Sequence, residues 1–262
     1  MLTAQGIHAF DDNYIWLIKQ PKKPQVAIVD PGDAGPVIAA IEAQSLQPVA
    51  ILITHFHADH TGGIADLLEQ YPMPVYGPAN ESIPHMDHPL TESDSVEIPE
   101  LGAQFQVLDV PGHTAGHISY YCENKGGQGM LFCGDTVFAG GCGRIFNGTA
   151  EQFHHSLGKI IDLPDGTLVY CAHEYTEDNL VFARIAEPDN QALKERQTTV
   201  QQQRQRDEAT VPSLLGIEKA TNPFLRFDQP TIIKAAETFA GHSLSNGAAV
   251  FATVRHWKDT LD

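Results

Sequence analysis

Basic residues, cysteine pairs and long apolar runs are all scarce in this sequence. The 262 residues include 16 Lys and Arg against 33 Asp and Glu, so the formal net charge is −17. A chain this acidic is a poor general partner for nucleic acid or an anionic membrane surface, although a local cationic pocket can still hold a small anion. No run approaches the roughly 18 apolar residues that span a bilayer.

The N-terminus lacks the pattern of a secretory signal, and the cysteines lack the spacing of a zinc site. The opening MLTAQGIHAFDDNY has neither a basic stretch followed by an apolar segment nor a small-residue cleavage site. We therefore expect a protein of the cytoplasm. We also expect a monomer whose partner is a small-molecule substrate. Because zinc thiolate sites usually contain close pairs, and none of the cysteines has C-x-x-C spacing, we expect free thiols rather than cysteine ligands. The cysteines are Cys122, Cys133, Cys142 and Cys171.

The pattern of the chain changes near residue 174. Before it, short apolar runs alternate with turn signals and helical patterns, which is typical of a layered α/β domain. After it, amphipathic stretches predict helices, and only 211–226, with its Pro and Gly residues, predicts an ordered loop. The sequence thus predicts one domain over 1–174 and a helical domain over 175–262. The predicted strands include 14–18, 26–29 and 49–53, and the predicted helices include 35–46, 62–70 and 149–161.

The stretch THFHADH, residues 54–60, follows the apolar run 49–53 directly. Residues two apart in an extended segment point to the same side, so His55 and His57 face together. Asp59 and His60 can project from the opening turn of a following helix. One short loop can therefore serve two neighbouring metal ions.

Three further apolar runs end in potential ligands: FQVLDVPG before His113, MLFCG before Asp135 and LVYCA before His173. Strands that run in a common direction end at one edge of a sheet, where distant ligands can meet. Burying so many imidazoles and carboxylates without metal would be costly. The sequence predicts two sites with a shared carboxylate, as two-metal hydrolysis requires. The ligands are His55, His57 and His113 for one ion, Asp59, His60 and His173 for the other, and Asp135 for both.

The motif at 54–60 resembles the THxHxDH signature of the metallo-β-lactamase superfamily. The resemblance covers residues 1 to about 175 and implies an α/β fold, the αβ/βα four-layer sandwich with metals at one edge of its two sheets. We interpret His117, which follows the predicted ligand His113 in PGHTAGH, as structural or as supporting the ligands. The superfamily hosts many chemistries, so the fold alone leaves function open.

Other motifs resemble the glyoxalase II family, the hydroxyacylglutathione hydrolases, along nearly the whole chain. That resemblance implies hydrolysis of S-D-lactoylglutathione and other S-2-hydroxyacylglutathiones to a 2-hydroxy acid and glutathione, the second step of methylglyoxal detoxification. It also implies attack by a hydroxide held between two divalent ions, most simply zinc, with iron or manganese as alternatives. The motifs are AFDDNYIW (9–16), IVDPGD (28–33), PGHTAGH (111–117), GDTVFAGGCGR (134–144), CAHEYT (171–176), VPSLLGIE (211–218), NPFLR (222–226) and RHWKD (255–259).

The glyoxalase II resemblance also implies roles for single residues. It gives the same seven metal ligands and makes Asp59 and Asp135 catalytic. Phe146 departs from the family pattern, because some members have a tyrosine there whose hydroxyl reaches the substrate. Arg255 and Lys258 are three residues apart on a predicted helix, so these two cations could clamp a carboxylate of the substrate. The implied glutathione contacts are Arg144, Tyr175, Arg255 and Lys258.

Three other functions remain open from the sequence. A glutathione persulfide dioxygenase of the same fold uses one iron, but such enzymes typically lack the helical extension present here at 177–262. A hydrolase of other esters, such as a lactonase, would act without the glutathione moiety. A non-catalytic metal-binding protein is disfavoured, because every ligand position is filled.

Overall fold

The computed structural model describes residues 1–261, which form two compact units. The first unit comprises Met1–Asp109 and Gly116–Gly134. The second comprises Val110–Ala115 and the described chain from Asp135 onward. The predicted boundary between residues 174 and 175 separates segments of different sequence character, and it stays a prediction. Within the described part of the chain, the helices are all too short or too polar to cross a bilayer.

A six-stranded sheet in the first unit follows the order of the chain, β1 to β6. Its first three strands are antiparallel, and β3 to β6 are parallel. In the parallel part Ile28 pairs with Ile51, and neither side chain is exposed. Burial on both faces explains the nearly continuous apolar runs of β3 and β4. The strands are β1 (Thr3–Ala9), β2 (Asn13–Lys19), β3 (Gln25–Val29), β4 (Gln47–Leu52), β5 (Val75–Pro78) and β6 (His88–Leu90).

The first unit has three helices, and the two longer ones, at 34–44 and 64–70, supply apolar residues to the core on this sheet. The strands predicted at 14–18, 26–29 and 49–53 are confirmed, and so is the helix predicted at 35–46. The helix predicted at 62–70 is confirmed, but it begins at Ile64; a separate short helix precedes it, with Gly62 and Gly63 between the two. Glycine has low helix propensity, which favours a break at this pair. The helices are α1 (Ala34–Gln44), α2 (Ala58–Thr61) and α3 (Ile64–Gln70).

Four further strands of the first unit pair antiparallel, each with the next along the chain. In β8 the sequence AQFQVLD alternates buried and exposed residues at its start, as expected for a strand with one face on the core. Because β8 and β10 are both antiparallel to β9, they run in the same direction. The strands are β7 (Ser95–Ile98), β8 (Ala103–Asp109), β9 (Ile118–Cys122) and β10 (Met130–Gly134), and a short 3-10 helix lies at Pro99–Leu101.

The second unit is largely helical, as predicted beyond residue 174. Thr149 and Gln152 form a capping box at the start of the helix predicted over 149–161. The loop predicted at 211–226 is wrong, because LGIEKAT forms a helix that ends just before Pro223. Its elements are the hairpin β11 (Val137–Phe138) and β12 (Gly141–Cys142), the antiparallel pair β13 (Leu168–Cys171) and β14 (Ser213–Leu214), a 3-10 helix at Pro223–Leu225, and the helices α4 (Ala150–Ile161), α5 (Thr176–Ala186), α6 (Gln191–Arg204), α7 (Leu215–Thr221), α8 (Pro230–Ala240) and α9 (Gly247–Asp259).

Candidate metal centre

The heptapeptide THFHADH leaves β4 and enters α2, with His57 at the helix N-cap. The rings of His55 and His60 are fully buried and their centroids lie 4.0 Å apart. His55 Nε2 lies 3.0 Å from His57 Nδ1, and His60 Nε2 lies 3.4 Å from Asp59 Oδ2. The predicted clustering of these four donor side chains is therefore confirmed.

Asp30 follows β3 and orients both buried histidines. Its Oδ2 lies 3.1 Å from His60 Nδ1 and accepts a 2.7 Å hydrogen bond from the Thr54 hydroxyl. Its Oδ1 accepts the Thr54 backbone N–H at 2.8 Å. Because the hydroxyl gives its proton to Asp30, it can accept one from His55 Nδ1, 3.1 Å away. A proton on Nδ1 of each ring would leave Nε2 as the ligand atom.

Asn13 orients the neighbouring carboxylate in a similar way. This buried side chain stands at the start of β2 and donates a 3.0 Å hydrogen bond to Asp59 Oδ2. Sequence reasoning assigned no role to Asn13, Asp30 or Thr54. A signal was present, because Asn13 and Asp30 lie inside the motifs AFDDNYIW and IVDPGD.

Asp135 stands between two histidines from distant parts of the chain. Its Oδ2 lies 3.4 Å from His113 Nε2, and its Oδ1 lies 3.4 Å from His173 Nε2. His113 Nδ1 lies 2.8 Å from the Arg144 carbonyl oxygen, to which it can donate its proton. Each carboxylate oxygen thus lies near Nε2 of a different imidazole, an arrangement that can serve two ions at once.

Gly134 allows Asp135 to follow β10 closely. Its φ of +47° lies in the left-handed region, and a Cβ there would stand 2.3 Å from the Thr54 hydroxyl oxygen. The expected common sheet edge holds only in part. β8 and β10 run in the same direction, but β4, which precedes His55, belongs to the other sheet.

Ligand atoms of the predicted set fall into three groups, within each of which all atoms lie within 4.8 Å of one another. Each of the seven predicted ligands belongs to at least one group. His117 belongs to none; it is fully buried and stacks on His55 with 4.6 Å between ring centroids. Imidazole nitrogens and carboxylate oxygens are suitable donors for divalent ions such as zinc, iron and manganese. The groups are His55, His57 and His113; His55, His60 and Asp135; and Asp59, His60 and His173.

None of the four cysteines, all of which lie in the described chain, forms a disulfide, as predicted, and the structure adds that all four are buried. Burial raises the pKa of the Cys142 thiol to about 11, although the Arg255 and Lys258 cations lower it. Burial also raises the pKa of Cys171 to about 12. Only a thiolate is a good metal ligand or nucleophile. Cys142 and Cys171 therefore stay protonated near neutral pH and are poor nucleophiles.

The β11–β12 hairpin is held by three buried side chains from helices of the second unit. Asn179 donates to the Ala139 carbonyl at 3.1 Å, and Glu218 accepts the Gly140 N–H at 2.8 Å. Asn222 donates to the carbonyls of Phe138 and Gly141. Glu218 also forms a buried ion pair with Arg196. Glu218 and Asn222 lie in VPSLLGIE and NPFLR, so these motifs anchor the hairpin.

The four predicted substrate contacts differ in exposure. Arg144 is exposed, and Tyr175 is half-buried and stacks on the His173 ring with 4.7 Å between centroids. Arg255 and Lys258 lie on α9 as predicted, but only 3% and 8% of them is exposed. Arg255 donates to the Cys142 carbonyl at 3.0 Å and to Asp259 at 2.9 Å, and its guanidinium lies 5.1 Å from the Phe224 ring centroid.

Phe146 lies beside the predicted ligands. It is 65% exposed, and its ring stands edge-on to His113 with 5.1 Å between centroids. The Phe146 N–H donates to the His113 carbonyl at 3.0 Å. The phenyl ring packs on the imidazole but offers no hydroxyl to a ligand.

Solved structures share this fold. ETHE1 from Myxococcus xanthus gives a TM-score of 0.65 at 23% identity and covers 99% of both chains. The BLEG-1 B3 metallo-beta-lactamase gives a TM-score of 0.62 at 24% identity, with 86% of this chain and 99% of that one covered. The chain therefore has the metallo-β-lactamase fold, with a mixed α/β part and a C-terminal helical region.

Sequence comparisons identify the family. The model described as metallo-beta-lactamase superfamily matches residues 9–173, and that described as hydroxyacylglutathione hydrolase C-terminus matches 174–261. The hydroxyacylglutathione hydrolase of Nitrosomonas eutropha is 54% identical over 261 residues and covers 100% of both chains. That of Alkalilimnicola ehrlichii is 54% identical over 259 residues, with 99% of both covered. The chain belongs to the hydroxyacylglutathione hydrolases, the glyoxalase II family of the metallo-β-lactamase superfamily.

Proposed function

We propose that this chain is an enzyme that hydrolyses the thioester of S-D-lactoylglutathione and other S-2-hydroxyacylglutathiones. The products are a 2-hydroxy acid and glutathione, as in the second step of methylglyoxal detoxification. The observation that carries the proposal is the full-length match to curated hydroxyacylglutathione hydrolases. The arrangement of Asp135, with one oxygen toward each of two histidines, supports it further.

We propose that two divalent ions are the cofactors. The three close groups of donors and the superfamily both support a pair of ions. Zinc is our choice, with iron and manganese as the alternatives that metal analysis would reveal. The ligands would be His55, His57 and His113 for one ion, Asp59, His60 and His173 for the other, and Asp135 for both.

The chain's own residues would position the reactants. Two bound divalent ions would supply a nucleophile at neutral pH by lowering the pKa of water from about 16 to about 7. Asp59, whose Oδ2 is held by Asn13, would orient this nucleophile toward the thioester carbonyl. The leaving thiol has a pKa of about 8.5, so a thiolate departs without a strong general acid. The reaction therefore needs no protonated side chain beside the sulfur.

Arg144, Tyr175, Arg255 and Lys258 would bind the glutathione moiety. Arg144 is exposed two residues beyond Cys142, whose thiol lies within the electrostatic influence of Arg255 and Lys258. These cations would attract an anionic substrate despite the net charge of −17. Arg255 would also hold the β11–β12 hairpin through the Cys142 carbonyl.

We further propose that the protein acts as a monomer in the cytoplasm, on a small molecule rather than on nucleic acid or a membrane. The acidic composition disfavours nucleic acid and anionic membrane surfaces as partners. Sedimentation of the purified chain and fractionation of cells that express it would test the two statements.

The first experiment is steady-state hydrolysis of S-D-lactoylglutathione by metal-quantified enzyme. Loss of Asp135 removes a ligand proposed for both ions, so Asp135→Ala should lower kcat more than about a hundredfold. Asp66→Ala changes an exposed aspartate on α3 and serves as the control. A thioester without glutathione should be a poor substrate. Inactivity of the wild type with two bound ions would contradict the proposal, and oxygen uptake with glutathione persulfide would then test the dioxygenase alternative.

A further inference from the structure

Glu81 joins the two loops that carry the first set of histidines. It lies between β5 and β6, and each of its carboxylate oxygens contacts a different backbone amide. Oε2 accepts the Phe56 N–H at 2.7 Å, and Oε1 accepts the Gly116 N–H at 3.1 Å. Phe56 stands between His55 and His57, and Gly116 lies inside PGHTAGH. One side chain therefore spans from one ligand-bearing motif to the other.

The fit around Glu81 is close. A Cβ at Gly116 would stand 2.6 Å from Glu81 Cγ, so the absence of a side chain at 116 lets the carboxylate reach this amide. A carboxylate that accepts backbone N–H groups forms charge-assisted hydrogen bonds, which are stronger than neutral ones. Two such bonds from one side chain fix the distance between the loops.

We propose that Glu81 is a positioning residue that sets the separation of the loops carrying His55, His57 and His113. The inference rests on the metal centre proposed above and adds a residue outside its ligand set. Residues that orient metal ligands typically change metal affinity by ten- to a hundredfold when they are replaced. Glu81 acts on the ligands through the backbone, so its loss should speed release of the ion they hold.

Two substitutions separate the bridge from the charge of Glu81. Glu81→Ala removes both. Glu81→Asp keeps the negative charge, but a side chain one methylene shorter cannot reach both amides. Glu92→Ala is the matched control, because Glu92 Oε2 accepts the Asp109 N–H at 2.6 Å in the same unit but outside both motifs.

The experiment loads each protein with Zn²⁺ and measures the rate of metal release to a chromogenic chelator. We expect release about tenfold faster or more for Glu81→Ala and Glu81→Asp, and within about twofold of wild type for Glu92→Ala. In ¹⁵N hydrogen-exchange spectra of the metal-free proteins, the Phe56 and Gly116 amides should lose protection only in the Glu81 variants.

Three outcomes would overturn the inference. Unchanged release from Glu81→Ala would remove any positioning role. Wild-type release from Glu81→Asp would show that charge, not the bridge, matters. Equal acceleration in Glu92→Ala would indicate general loosening of the unit. Because no substrate is used, failure to hydrolyse a glutathione thioester would contradict the proposed function and leave this result standing.

Discussion

The local and the dispersed ligands of the candidate centre are held in different ways. His55, His57, Asp59 and His60 lie within six positions, and side chains close to strand ends orient them: Asp30, Thr54 and Asn13. The dispersed set of His113, Asp135 and His173 spans 61 positions of sequence. His113 contacts the Arg144 carbonyl, and Phe138 of the helix-anchored β11–β12 hairpin stands edge-on to His173 with 5.6 Å between ring centroids. The donors of the local set are close because they are neighbours in the sequence, whereas the donors of the dispersed set are brought together by tertiary packing.

We expect the largest effect, a loss of stability, from a substitution that removes an anchor of the hairpin beside the dispersed set. Glu218→Ala leaves Arg196 buried without its carboxylate partner and frees the Gly140 amide of the hairpin. We expect the free energy of unfolding, measured with urea on metal-free protein, to fall by about 3–5 kcal/mol. As a control, Asp165→Ala breaks an exposed ion pair with Lys219, the residue that follows Glu218. This substitution should lower the free energy of unfolding by less than about 1 kcal/mol. Equal losses in the two variants would show that Glu218 does not anchor the hairpin.

The next largest effect is a loss of metal affinity when the residue that orients the local set is replaced. In Asp30→Asn an amide nitrogen replaces an oxygen that faces proton donors on Thr54 and His60. Affinity for both ions should fall, by about ten- to a hundredfold, because Asp30 contacts His60 directly and His55 through Thr54; chelator competition would measure this. Asp33→Asn changes the N-cap of α1 in the same loop and should be neutral, because both residues cap well. Unchanged affinity for both ions would show that Asp30 does not orient the ligands.

A smaller effect concerns substrate binding in the second unit. Lys258→Ala should raise KM about tenfold and change kcat less than about twofold, because the cation is proposed to bind a part of the substrate that does not react. Steady-state kinetics would show this, with the exposed Lys234→Ala on α8 as the control. Arg255→Ala should also lower stability, since its guanidinium holds the Cys142 carbonyl. An unchanged KM in Lys258→Ala would rule out its assigned role.

The smallest expected effect is on the pH dependence of stability at alkaline pH, which is due to Cys142. The pKa of Cys142 is about 11 in the folded protein against an ordinary value of 9.0, so folding favours the protonated thiol. The contribution of this thiol to the free energy of unfolding is complete below about pH 9 and is lost as the pH rises through about 11. The slope from one group is at most about 1.4 kcal/mol per pH unit. Urea unfolding at pH 9 and 10 should show a smaller pH dependence for Cys142→Ala, and identical slopes would contradict this assignment.

The sequence was sufficient to predict the fold class, the helical C-terminal region and the donor clusters, because strong apolar runs end in His and Asp. It did not reveal Asp30 or Asn13 as orienting groups: both lie inside quoted motifs, but a lone polar residue at the end of a strand has the same local pattern as an ordinary turn residue. It also missed α7, since the Pro and Gly residues of 211–226 resemble a loop. Contacts over long sequence separations, such as Glu218 with Gly140, fix these features, and no local pattern encodes them.

The state of the four thiols bears on how the protein withstands oxidants. Oxidation of cysteine proceeds through an accessible thiolate. All four sulfurs are buried, and the pKa values of Cys122, Cys142 and Cys171 are raised. Peroxide and electrophilic aldehydes therefore meet no reactive thiol on the folded chain. The protein should keep its activity through purification and storage without added reductant.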